Sequence, residues 1–334
     1  MKGFLLVAAA FALSSGAVDA AYLVSGTGSG STYKTGYAPA VVEAISPATE
    51  AVFFGEVEDR DGKGTVSNLE VCAAETEDLC FGIGQGDVVA GSPQVASGDV
   101  CIIRSDLEAE YAFAFVDNSQ LQDYADLRAN WERGRITFYT SETSSGSLAT
   151  LENLREAAGF DPGTAKIETL PDWDAVIQKV ASDPRAVGFT VRYADPTGFL
   201  SELVDDHGFT VLGVAERAMR RLSHADGSPV YTVSLDVPYD TKGILGAGGM
   251  STTPSLGAPV VLFGNCPDKL GDFAADAGDA HDAIRQLPAS AFDVKLGWMA
   301  DLQSKIADQS QQMGGDEAWA WAEDMATRTG DLIE

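Results

Sequence analysis

One pattern constrains this chain more than any other: a short apolar strand, a Gly/Ser/Thr turn and an amphipathic helix, in that order, twice. The first copy is the strand 22–24, the turn Gly26, Thr27, Gly28, Ser29, Gly30, Ser31, Thr32, and then apolar Tyr33, Ala38, Val41, Val42 and Ile45 at helical spacing. The second copy is the strand 136–139, the turn 141–147 and a helix over 148–158. Strand–helix alternation follows each copy, through 22–105 and again through 135–215. Such alternation demands parallel-rich sheets with ligand loops gathered at the carboxyl ends of the strands. No residue-level repeat accompanies it, so the expectation is two similar lobes rather than a solenoid.

The first turn has its own chemistry. Glycines let the backbone approach a ligand, hydroxyls donate, and the unpaired N–H groups of a first helical turn point at the same place. Helix capping needs one such hydroxyl, whereas Ser29, Ser31 and Thr32 supply three. The turn is therefore a cradle for a small anion. It is not a nucleotide loop: Tyr33 stands where a phosphate loop has glycine before its lysine, Lys34, and the glycine spacing misses the dinucleotide fingerprint.

Residues 1–20 have the form of a secretory signal peptide, with Lys2, an apolar stretch over 4–13 and Val18-Asp19-Ala20 as the cleavage signal. No later stretch is long and apolar enough to span a bilayer, so the expected product is a soluble periplasmic protein. Its net charge of −28 argues against nucleic-acid partners and against anionic membrane surfaces. An anionic ligand arrives against this field, so its site has to supply local donors. Cys72, Cys80, Cys101 and Cys266 allow three pairings, of which Cys72–Cys80 with Cys101–Cys266 is preferred; no metal spacing accompanies them. With three histidines, no nucleophile elbow and no metal motif, the chain reads as a binding protein with no cofactor rather than an enzyme.

Further elements are expected as strand 51–54, helix 65–76, strand 79–83, a short helix near 86–91, and two separate strands at 100–104 and 111–116. A helix 196–206 follows strand 187–191, and three helices close the chain after strand 259–263. The extended segments 108–118 and 229–239 are expected to cross between lobes. Arg104 and Arg192, at strand ends, are possible carboxylate clamps, and Asp87 is expected to cap the short helix after Gln85.

Three segments, GTGSGSTY (26–33), TVSNLEVCAAETEDLCFGIGQGDV (65–88) and SSGSLATLENLREAAG (144–159), together resemble the TAXI-type solute-binding proteins of tripartite TRAP transporters. SLGAPVVLFGNCPDKL (255–270) is a looser fourth match; the Cys72/Cys80 pair and the insertion-like EVEDRDGKG (56–64) depart from the pattern. The resemblance implies a type II periplasmic-binding fold, an α/β two-lobed clamshell in which each lobe is an open mixed sheet flanked by helices. Lobe 1 would comprise 21–108 plus 238–334 and lobe 2 109–237. It implies ligand contacts from Gly28, Ser29, Ser31, Thr32, Tyr33 and Gln85 in the first lobe, and from Ser145, Gly146, Ser147, Phe189 and Arg192 in the second. The implied cargo is a small organic anion of the amino-acid or carboxylate class, delivered by a monomeric receptor to a TRAP-type permease. The alternatives are an ABC-importer receptor for phosphate-like oxyanions, and a sensor or enzyme reusing the fold.

Overall fold

The computed structural model describes residues 20–26, 33–141, 146–193, 199–222, 230–241 and 249–292. The leader up to residue 19, Gly28, Ser29, Ser31, Thr32, Ser145, the glycine-rich 243–248 and the chain after 292 lie outside the described residues.

Strand β1 (Ala21–Val24) is buried at every position, as a strand covered on both faces should be. A π-type turn (Tyr33–Tyr37) leads from it into α1 (Ala38–Ala51); then come β2 (Val57–Arg60), α2 (Thr65–Ala74) and β3 (Leu79–Gln85). Helices α3 (Gly86–Ala90) and α4 (Pro93–Ala96) precede the long β4 (Val100–Val116). The second alternation is α5 (Tyr124–Glu132), β5 (Thr137–Ser141), α6 (Gly146–Ala157), β6 (Ile167–Leu170), α7 (Trp173–Ser182) and β7 (Ala186–Arg192). Helix α8 (Phe199–Ser201), a π-type turn (Glu202–Asp206), β8 (Thr210–Gly213), β9 (Thr232–Thr241) and β10 (Gly249–Asn265) follow, and α9 (Ala274–Arg285) lies between two 3-10 segments, Pro267–Phe273 and Ala289–Phe292. Aspartates set two of the helix starts: Asp123 accepts from the N–H of Asp126 and Asp172 from that of Ala175.

The strands stand in the order β2-β1-β3-β10-β4-β7-β5-β6, with β8 also on β4 and β9 on β10. Each end of this sheet is a parallel trio in the order second-first-third, β2-β1-β3 and β6-β5-β7. Antiparallel β4 and β10 join the trios, and β4 pairs with β10 over its first part and with β7 and β8 over its last. The fold is thus a two-lobed α/β clamshell of the type II periplasmic-binding kind. Four apolar cores bear this out, two to a lobe, one on each face of the sheet. In the first lobe, Leu23, Ile45, Phe81 and Ile284 pack on one face and Val24, Leu69, Val89 and Phe263 on the other. In the second, Trp131, Phe138, Leu151 and Phe189 oppose Phe115, Tyr139, Val176 and Leu203.

Several expected elements are corrected. Residues 51–54 are not a strand: α1 continues past Pro47 to Ala51, and Phe53, exposed at φ 71°, turns the chain while the Phe54 N–H returns to the Thr49 carbonyl. The insertion-like 56–64 supplies the edge strand β2 instead, tied down where Lys34 meets Asp59 at 2.9 Å and Asp61 at 3.0 Å. The two strands 100–104 and 111–116 are one, because the chain between them stays extended against β10. Of the helix expected over 196–206, residues 196–198 lie outside the described residues, and 199–206 form α8 and a π-type turn rather than one regular helix.

Cys72 is bonded to Cys80 and Cys101 to Cys266, at Cα separations of 5.2 and 5.0 Å. The first pair ties α2 to β3; the second ties the outer end of β4 to the end of β10. No helix among the described residues is long and apolar enough to cross a membrane.

Candidate functional site

The end of β3 and the start of α6 meet across the sheet. β3 delivers Gln85 and α3; β5 delivers the start of α6. The Gln85 N–H donates to Thr65 Oγ1 (3.0 Å), which fixes the end of β3 to the first turn of α2. Its side-chain Nε2 reaches over to Thr150 Oγ1 on α6 (3.2 Å). Gly146, the first residue of α6, lies so close that an added Cβ would stand 1.8 Å from Gln85 Oε1. Glycine here is a matter of space, not of backbone angle.

Beneath this contact lie two buried carboxyl groups. Asp87 Oδ2 accepts from Thr150 Oγ1 (2.5 Å) and from the Tyr231 hydroxyl (2.7 Å), and Asn153 Nδ2 donates to that same hydroxyl (3.2 Å). Asp87 Oδ1 also accepts from the N–H of Val88, but Asp87 lies inside α3, whose N-cap is Gln85, so it is not the cap expected of it. Burial pushes its carboxyl above the usual range, although the hydrogen bonds from Thr150, Tyr231 and Val88 pull the other way. Glu110, on β4 where the strand passes between lobes, accepts from the Tyr33 hydroxyl (2.8 Å). Burial pushes Glu110 up to about 8, against the hydrogen bond from Tyr33 and the charge of Arg192, and the Asp87 carboxylate adds to the rise. The Tyr33 and Tyr231 hydroxyls are raised, first by burial and then by these carboxylates.

The remaining expected residues divide. Arg192 ends β7 with its guanidinium 3.9 Å from the centroid of Phe199 and 5.3 Å from that of Trp173, while its charge acts on Glu110. Ser147 Oγ accepts from the Val191 N–H (2.9 Å), so it anchors the start of α6 to β7 and is itself buried. Phe189 is fully buried against Phe138, in the same core as Leu151 and Leu154 of α6. Arg104, considered as a clamp, is buried between Asp106 and the carbonyls of Ile284 and Leu287, where it holds β4 to the end of α9. Gly28, Ser29, Ser31, Thr32 and Ser145 lie outside the described residues.

Sequence reading missed Glu110, Thr150 and Tyr231. Glu110 sits in a charged stretch, EAEY, that reads as a solvated face. Thr150 reads as an ordinary helix position and Tyr231 as a position in the extended segment 229–239. Among the described residues no group of three or more metal-ligating side chains is assembled.

No protein-family model matches the chain, and no curated protein is detectably similar to it in sequence. Among solved structures, it is similar to one described as a periplasmic transporter, at 13% identity and a TM-score of 0.41, over 93% of this chain and 97% of that one. It is also similar to an ancestral arginine-binding protein bound to arginine (10% identity, TM-score 0.43, 80% and 93% covered). A third is a TctC solute binding protein from Polaromonas (11% identity, TM-score 0.40, 81% and 85% covered). At this level of likeness those descriptions speak for those proteins alone.

Proposed function

We propose that this protein is an exported receptor that closes two lobes around a small solute bearing both a carboxylate and an amino group, an amino acid in chemical class, and presents it to a membrane permease. One observation carries the reading: Gln85 and Gly146, from the two strand–turn–helix units, converge beside a buried Glu110 and the guanidinium of Arg192. N–H groups and hydroxyls of 28–32 and 145–146, with Tyr33 and Gln85, are proposed to hold the carboxylate. Glu110 receives the ammonium. A buried carboxyl at the site that an ammonium group can ionise favours the amino-acid reading over the ABC-importer oxyanion reading.

Lobe 1 is taken as 21–108 with 238–334 and lobe 2 as 109–237. Closure is a hinge motion where β4 and the returning chain pass between them, near 108–118 and 229–239. A solute that touches both lobes only when they close shifts the open–closed population, which is the state a permease reads. The resemblance to TAXI-type receptors supports a TRAP-type permease as partner, with the receptor acting as a periplasmic monomer.

Thermal unfolding of the mature protein with amino acids, dicarboxylates and phosphate tests this. A true solute at a hundredfold excess over its dissociation constant stabilises by about 2.7 kcal/mol. Amino acids are expected to raise the melting temperature of the wild type and to lose most of that effect in Glu110→Gln. Stabilisation by phosphate alone, or by nothing in the panel, overturns the proposal.

A further inference from the structure

Asp87 does more than line the site. We propose that Asp87, held from across the cleft by Thr150 and Tyr231, is a proton-gated latch between the lobes. The inference rests on the two-lobed receptor reading but adds a device that the solute does not supply.

The geometry is specific. Asp87 belongs to the first lobe, on α3 directly after β3, whereas Thr150 lies on α6 and Tyr231 in the Trp131 core, both of the second lobe. Both hydroxyls converge on the same oxygen, Oδ2, and Asn153 and Gln85 hold those hydroxyls in turn. Asp87, Thr150 and Tyr231 are all buried, so separating the lobes exposes the entire set to water. These contacts are made by protein groups alone and therefore favour closure whether or not solute is bound.

Proton dependence follows from what surrounds the carboxyl group. Asp87 makes no ion pair among the described residues. The titratable groups facing it are Tyr231 from the second-lobe core, Glu110 from β4 and Tyr33 from the turn before α1; Arg192 of β7 acts on Glu110. α2, packed beside α3, contributes the neutral Thr65. A carboxyl buried without a counter-charge binds its proton more tightly closed than open. Closure therefore takes up a proton, and raising the pH favours opening. Ionised Glu110 adds repulsion of the same sign.

Small-angle X-ray scattering of the mature chain, refolded from denaturant to strip bound solute and measured from about pH 4, near the ordinary carboxylate value, up to about pH 9.5, tests the latch. The radius of gyration of the wild type is expected to increase with pH, Asp87→Asn to stay compact throughout, and Glu110→Gln to keep a pH-dependent expansion. A wild-type radius that does not change with pH overturns the latch. So does an Asp87→Asn variant that expands like wild type, or expansion abolished by Glu110→Gln alone. If circular dichroism shows Asp87→Asn unfolded, Thr150→Val and Tyr231→Phe take its place. Each removes one donor and is expected to shift the opening to lower pH; an unmoved opening in both also overturns the latch. Because no solute is added, failure here leaves the solute proposal standing, and an empty solute panel leaves the latch testable.

Discussion

Gly146 shows how one position can be fixed by a residue 61 places away in the chain. An alanine there collides with the buried Gln85 amide, so Gly146→Ala is expected to cost about 1–3 kcal/mol, as overpacking does. In a Gln85→Ala background the same change should stabilise by up to about 1 kcal/mol, because alanine is the better helix former. Denaturant midpoints of the four proteins measure the sign reversal; the same sign in both backgrounds would refute the contact. Ser147→Ala carries a different lesson. It leaves the Val191 N–H without its buried acceptor, so it should destabilise the protein by about 1–3 kcal/mol with or without solute, and it is no test of ligand contact. His281 is buried beside Phe81 with both ring nitrogens unpartnered among the described residues, and burial, aided by Arg285, lowers its pKa to about 4. Its folded pKa lies below the unfolded value of about 6.5. Its contribution to stability is therefore complete above that value and declines as pH falls toward about 4. His281→Leu should flatten this decline in urea midpoints measured between pH 7.5 and 4.5. An equally steep decline in the variant would show that another group is responsible.

At the scale of elements, periodicity was a good guide wherever one element answers one pattern. α2, α6 and the strands β1, β3, β5 and β7 fall close to their expected places. It failed where tertiary contacts extend or stop an element. Pro47 marks a helix end in the sequence, yet α1 continues through it because Ile45, Ser46 and Thr49 are buried and Thr49 closes the end on the Gly55 carbonyl. β4 carries charges that interrupt its apolar pattern, but Arg104 and Glu110 each have buried partners, so the strand is unbroken. The disulfides weigh differently on these elements. Cys72–Cys80 spans 8 residues and Cys101–Cys266 spans 165. Chain entropy then assigns about 2.5 and about 5 kcal/mol to them. Replacing both cysteines by alanine should lower the denaturation midpoint more for the long pair than for the short one, and the reverse order would reject the entropic account for this protein.

Over the whole molecule, a net charge of −28 surrounds a site proposed to take a carboxylate. Recognition must then be local, and the proton on Glu110 is part of it. With its carboxyl at about 8, Glu110 is largely protonated at neutral pH, and an arriving ammonium group draws it back into the ionised form. In an Asp87→Asn variant, which takes up no proton on closing, binding of an amino acid near pH 7 is accordingly expected to release close to one proton. Calorimetry in buffers of different ionisation enthalpy measures it, and heats independent of buffer would exclude this role for Glu110. The chain by itself determined the two strand–turn–helix units, the preferred cysteine pairs and the prominence of Gln85 and Gly146, because these are written in local periodicity and in residue types suited to turns. Only the tertiary structure decided that Asp87 meets Thr150, 63 residues away, and Tyr231, 144 residues away, and that Glu110 is an interior group. The physical reason is that burial and charge coupling depend on which distant segments the sheet order brings together. The same carboxylate is unremarkable in a solvated stretch and decisive between two lobes.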